Sequence, residues 1–136
     1  MTSKAFAIIA GVGPGTVSTR ICGLSIYTQL INQGASIARR FAKAYSVVLL
    51  GRNPDNYEPL VKEINTSGGQ AVGISTDLSD AKSMNSTFDK IKDQYSGSAL
   101  AAAVFNPGGG FVRKPFLEMT EEEYMWPLES QGLSSL

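Results

Sequence analysis

Histidine is absent from this 136-residue chain, and cysteine occurs once. The first absence removes the commonest general base near neutral pH and the commonest metal ligand. A lone thiol allows no cysteine cluster, so neither a metal site nor an internal disulfide is expected. Cys22 suits a reducing compartment, and with only Arg20 as a nearby cation it reads as unreactive. An excess of charge is lacking too, since 12 basic residues balance 12 acidic ones. No net field draws the chain to nucleic acid or to an anionic membrane. A long hydrophobic run is likewise missing: Ala5 to Ala10 falls far short of a bilayer span. The first residues show no basic region followed by an apolar run and a small-residue cleavage site. The expectation is a soluble, cytoplasmic protein with neither a nucleic-acid nor a membrane partner. The length suits a single domain, residues 1–136, with one core.

What is present alternates between two periods. Ala5 to Ala10 is a continuous apolar run ending in glycines, as expected of a strand covered on both faces. Ala35 to Tyr45 carries Ile37, Phe41 and Tyr45 on one helical face. Ser46 to Leu50 is a second buried-strand run, closed by Gly51. Asp55 with Glu58 resembles a capping box, opening a helix with Tyr57, Leu60, Val61 and Ile64 at helical spacing. Ser67-Gly68-Gly69 ends it. Gln70 to Ser75 reads as a third strand, Met84, Phe88, Ile91 and Tyr95 as another helical stripe, and Ala99 to Phe105 as a fourth strand. Thr120 and Glu123 form a second candidate capping box, with Glu121-Glu122-Glu123 favouring a helix N-terminus. Trp126 and the other aromatics are expected to pack. Residues 130–136 read as an irregular tail. Strands alternating with helices imply βαβ units, hence an α/β fold: a partial doubly wound parallel sheet of about four strands, Rossmann-like.

The run Gly11-Val12-Gly13-Pro14-Gly15-Thr16 directly follows the first strand. Glycines there permit a tight turn and close backbone approach, so that amide N–H groups and the positive end of the next helix can face a pyrophosphate. With the residues around it, this turn resembles the opening motif of the short-chain dehydrogenases/reductases, T-G-x-x-x-G-x-G, with Ala10 in place of the threonine. Asp77-Leu78 resembles the family's adenine-contacting acid and its neighbour. Asn106-Pro107-Gly108 resembles the end of its N-N-A-G motif, with Phe105 in place of the first asparagine, and Pro115 to Glu123 resembles the lead into its next helix. The resemblance implies a nicotinamide dinucleotide held by Gly11, Gly13, Gly15, Gly34, Arg52, Asn53, Asp77, Leu78, Asn106 and Gly108. An acid at the end of the second strand would select NAD by gripping the ribose 2′-hydroxyl. Gly51-Arg52-Asn53 stands there instead, and the planar fork of Arg52 suits the 2′-phosphate of NADP.

Two departures bear on activity. Residues 17–33 separate Thr16 from Gly34, the glycine that would complete the motif; deleting them restores its spacing. Val17-Ser18 can be encoded by a splice-donor sequence, Gln33 by an acceptor and Leu30-Ile31 by a branch site, so one reading is an in-frame retained intron. The other is a genuine inserted loop or helix, with Ile21, Leu24, Tyr27 and Ile31 as an apolar stripe. Either way, the insert is expected to carry the helix N-terminus away from the turn and to put cofactor binding in doubt. The second departure is catalytic. The family uses a serine and a Tyr-x-x-x-Lys pair, whose lysine lowers the tyrosine pKa for proton transfer. No Tyr-x-x-x-Lys occurs here, and Tyr57 with Lys62 reads as scaffold, so no catalytic residue is assigned. The sheet is expected to be truncated at its C-terminal side, with the fourth strand exposing an edge open to self-association. Rival readings are a non-enzymatic dinucleotide-binding or regulatory module, a mis-spliced fragment, and a flavodoxin-like domain with a different phosphate ligand.

Overall fold

The computed structural model describes residues 5–13, 33–106 and 114–125, and the backbone alone of 19–21 and 24–26. Four strands, β1 (Ala5–Ala10), β4 (Ser46–Gly51), β5 (Ala71–Ser75) and β6 (Ala99–Phe105), form one parallel sheet in the order β5-β4-β1-β6. Helices α1 (Gln33–Phe41), α2 (Pro54–Thr66) and α3 (Ala81–Gln94) make the crossovers. A separate antiparallel pair, β2 (Thr19–Ile21) and β3 (Leu24–Ile26), lies between β1 and α1.

The helices divide between the two faces because adjacent strand residues point to opposite sides. Ala7, Ile9, Val47 and Leu49 face α1 and α2, whose Ala35, Ala38, Tyr57, Leu60 and Ile64 complete one core. Phe6, Ile8, Ala10, Val48 and Leu50 face the other way and pack with Ile91 of α3 and, at its end, Tyr95. The Phe6 and Tyr95 rings stack at 4.5 Å. β4 is buried along its whole length, whereas β6 is exposed at 99–101, 103 and 105, with Leu100 at 53% and Phe105 at 42%.

Local sequence explains the element ends, with two corrections. α2 starts before the proposed Asp55 box: Asn53 is the N-cap, Pro54 sits in the first turn, and the Asp55 N–H donates to Asn53 Oδ1 at 3.0 Å. Proline costs nothing where the helix has no hydrogen bond to lose, and its fixed φ favours that start. Gly68 then ends α2 at φ 86°. The helical reading of the insert is also overturned, since β2 and β3 pair with Ile21 opposite Leu24. Tyr27 and Ile31 lie outside the described residues. The box at Thr120 and Glu123 forms as expected: the Glu123 N–H donates to Thr120 Oγ1 at 3.2 Å and the Thr120 N–H to Glu123 Oε2 at 3.0 Å. Its aromatics do not enter the core. Phe116 is 73% exposed and meets the half-exposed Tyr124 edge-on, and no residue of the short turn Phe116–Glu118 is buried. Trp126 lies outside them.

Arg39 of α1 and Glu63 of α2 form a two-pronged ion pair at 2.7 and 2.8 Å. Both are half-exposed, so the pair orients the two helices more than it stabilises them. Tyr57 sets a tighter constraint. A Cβ at Gly73 of β5 would lie 2.2 Å from Tyr57 Cδ2, so the ring fills the space a side chain at 73 would need. Gly73→Ala is expected to destabilise the protein by about 1–3 kcal/mol through overpacking. Urea unfolding would read this, and Tyr57→Leu combined with it should cost less than the two changes summed.

Candidate dinucleotide site

All four parallel strands deliver their carboxyl ends to one edge of the sheet. From β1 the chain passes to β4 on one side, while β6 returns on the other. The order therefore reverses between β1 and β6, and the crevice at such a reversal is where open α/β sheets bind ligands.

The glycine turn occupies that crevice. The N–H groups of Gly11 and Val12 both donate to the Leu50 carbonyl, at 3.0 and 3.2 Å, tying the turn to the end of β4. Gly11 has φ 93°, which a side chain would resist. Gly13 faces open space, with nothing within 4 Å of its Cβ position. Gly34 sits against the turn: a Cβ there would come within 2.7 Å of the Gly11 carbonyl oxygen. This corrects the expectation that the insert carries the helix away. The N-terminus of α1 stays docked on the glycine turn because Gly34, without a side chain, lets the two backbones touch. Gly51 closes the other side, its Cβ position 2.8 Å from the Val12 carbonyl oxygen.

The remaining positions gather along the same edge. Arg52 follows β4 and is exposed; its carbonyl accepts from Ser75 Oγ at 3.0 Å. Asn53 stands beside it, with its side-chain oxygen already engaged by α2. The Thr76 N–H donates to the Gly51 carbonyl at 3.0 Å, and its hydroxyl meets that of Thr87 at 2.9 Å in the interior, which brings Asp77 next to Arg52's strand end. Both the hydroxyl and the N–H of Ser79 donate to Asp77 Oδ1, at 2.6 and 3.0 Å. These bonds, helped by the positive charge of Arg52, hold the Asp77 carboxyl below its usual range. Leu78 turns partly into the α3 side of the core. The Asn106 N–H donates to the Ala10 carbonyl at 2.8 Å, fixing the end of β6 beside the turn. Gly15 and Gly108 lie outside the described residues.

The shape suits a dinucleotide phosphate: a side chain at Gly34 would fill the contact that brings helix and turn together, and Gly13 leaves the approach open. Sequence reasoning missed Gly51 as a wall of the turn. It also missed Ser79, Ser83 and Thr87 as supports of the Asp77 loop; Ser83 Oγ accepts from the Asp77 N–H at 3.0 Å. The spacing Asp77-x-Ser79, typical of a side chain capping its own turn, was the available signal. Tyr57 is buried, and burial pushes its hydroxyl pKa up, which agrees with a scaffold role. Among the described residues no group of histidine, cysteine or acidic side chains could hold a metal ion, and no helix is long and apolar enough to cross a membrane.

Known proteins carry the same frame. The chain is 31% identical over 121 residues to elsinochrome reductase 1 of Elsinoe fawcettii, which covers 87% of this chain and 38% of the relative. It is 32% identical over 80 residues to 2,5-dichloro-2,5-cyclohexadiene-1,4-diol dehydrogenase of Sphingobium indicum, which covers 56% of this chain and 32% of that protein. The structure of a hydroxysteroid dehydrogenase from Escherichia coli superposes with a TM-score of 0.72 at 28% identity, over 95% of this chain and 46% of that one. A metagenomic short-chain oxidoreductase in complex with NADP shares the fold with a TM-score of 0.73 at 22% identity, over 98% of this chain and 52% of that one. The chain thus spans about a third of the length of these curated relatives and about half of these solved structures. The family model described as short chain dehydrogenase matches residues 33–128, starting where the insert ends. The chain belongs to the short-chain dehydrogenase family.

Proposed function

We propose that this polypeptide is the NADP-binding portion of a short-chain oxidoreductase and that it performs no hydride transfer by itself. The observation that carries the binding half is the docking of Gly34 on Gly11, which keeps the end of α1 at the phosphate turn despite the insert. NADPH in this family supplies a hydride to a carbonyl, and NADP accepts one from an alcohol. The residues here act on the cofactor's other parts. Backbone N–H groups at the start of α1 face the pyrophosphate, while those of Gly11 and Val12 hold the turn to the end of β4. Arg52 pairs with the 2′-phosphate, which makes NADP the preferred dinucleotide over NAD. Asp77, with Oδ1 already taken by Ser79, keeps Oδ2 to accept from the adenine amino group. The Asn106 backbone, fixed beside the turn by its bond to Ala10, flanks the nicotinamide side. The absence of a Tyr-x-x-x-Lys pair from the sequence supports the second half, because nothing in the chain provides the family's proton donor.

Residues 17–33 are proposed to be an insertion into an otherwise regular glycine motif, and the start of the family match at residue 33 supports that reading. Sequencing the transcript across the Thr16–Gly34 boundary distinguishes a retained intron from a coded loop.

Three outcomes are expected. In calorimetric titration the chain binds NADPH at micromolar concentration and shows no turnover with carbonyl substrates. Silence with NADPH, or a thermal shift with FMN in its place, would refute the NADP reading, and robust reduction would refute the inactivity. Arg52→Gln should weaken NADPH roughly ten- to a hundredfold, as expected for charge-assisted bonds to a phosphate, and leave NADH unchanged. Gly34→Ala should weaken both dinucleotides at least tenfold, about 1.4 kcal/mol, whereas deletion of residues 17–33 should leave binding intact or tighten it.

A further inference from the structure

We propose that Ser79 is a positioning residue that sets which purine the site accepts. By holding one oxygen of Asp77 it leaves a single acceptor, Oδ2, for the base, and so selects an amino purine over a keto purine. This selection rests on the dinucleotide reading of the site, with Asp77 at the base.

The backbone that carries Asp77 is fixed from two elements. At the end of β4, the Gly51 carbonyl accepts from the Thr76 N–H at 3.0 Å. From α3, Ser83 Oγ accepts from the Asp77 N–H at 3.0 Å. Four residues along the same helix face, Thr87 meets the Thr76 hydroxyl at 2.9 Å. Thr76 Oγ1 donates to the Ile74 carbonyl at 3.3 Å, so Thr87 supplies the proton of the shared bond. Both threonines are buried, where a hydroxyl without a partner would be costly. With the backbone held, what remains free in Asp77 is the rotation of its side chain.

Ser79 removes that freedom. Its hydroxyl and N–H both donate to Oδ1, at 2.6 and 3.0 Å, and among the described residues none donates to Oδ2. The same two bonds, helped by Arg52, hold the carboxyl below its usual range, so it is ionised at neutral pH. An ionised carboxylate can only accept. Adenine presents an amino group, which donates. Hypoxanthine presents a carbonyl at that ring position, which would meet the carboxylate acceptor to acceptor. The neighbouring Asp80 offers no substitute, because its carboxylate caps α3 and takes the Lys82 and Ser83 N–H groups at 3.2 and 3.0 Å.

Calorimetric titration of the full chain with NADPH and with its hypoxanthine analogue tests the selection. The wild type is expected to bind NADPH about ten- to a hundredfold more tightly, as for a hydrogen bond to a charged group. Asp77→Asn should invert the preference, because Ser79 keeps the amide oxygen at the Oδ1 position and so sets the NH2 at the Oδ2 position. Adding Ser79→Ala to Asp77→Asn should bring the two affinities toward equality, whereas adding Ser79→Thr, which keeps the hydroxyl, should keep the inversion. A merely structural role for Ser79 would weaken both dinucleotides alike and leave their ratio unmoved. Equal affinities in the wild type, no inversion in Asp77→Asn, or an inversion that survives Ser79→Ala in full would each overturn the proposal. Where the double variant fails to fold, Asp77→Asn alone still reads the orientation. Failure of the wild type to bind either dinucleotide overturns the NADP reading as well, whereas tight and equal binding of both overturns the proposal alone.

Discussion

The architecture depends on the contact between two backbones at the top of the first strand. Gly34 brings the start of α1 so close to the Gly11 carbonyl that a methyl group would have no room. On the far side Gly51 does the same for the Val12 carbonyl. The turn is clamped between a helix end and a strand end, and the Leu50 carbonyl takes the N–H groups of Gly11 and Val12. The arrangement of the strand ends along the sheet edge follows from this clamp. It orients the start of α1, seats Val12 in the core, and sets the level from which the ends of β4, β5 and β6 are measured.

The same contact explains how the fold absorbs an interruption inside its motif. An insertion between a turn and a helix is disruptive only if its two ends cannot return to the same place. Here the β2–β3 pair runs out and back, antiparallel, so the chain re-enters close to where it left. Spatial adjacency of the glycines survives although their adjacency in sequence does not.

Much of this was legible in the sequence. The parallel strands announce themselves as short apolar runs closed by glycine or polar residues, since burial on both faces leaves no alternation to confuse them. The convergence of Gly11, Arg52, Asp77 and Asn106 followed from their positions at successive strand ends. What was not legible is instructive. Ile21 and Leu24 are three apart, a spacing that fits a helix as well as a tight hairpin, and only the pairing decides. Asp55 with Glu58 imitated a helix start that Asn53 and Pro54 had already made. The closeness in space of Gly11 and Gly34 across the insert has no signature at all in one dimension. Burial of Phe116 and Tyr124 was inferred from residue type, which says what gains from packing but not whether a surface is there to receive it.

The fit of Tyr57 over Gly73 has a historical consequence. Each residue forbids most alternatives at the other: a side chain at 73 requires a smaller residue at 57, and a smaller residue at 57 leaves a void that only a side chain at 73 could fill. The two sites lie on different elements and far apart in the chain, yet substitution at one changes which substitutions the other tolerates. Lineages of this protein should therefore cross between the two packings only by paired replacement, or through an intermediate whose reduced stability the rest of the sheet can bear.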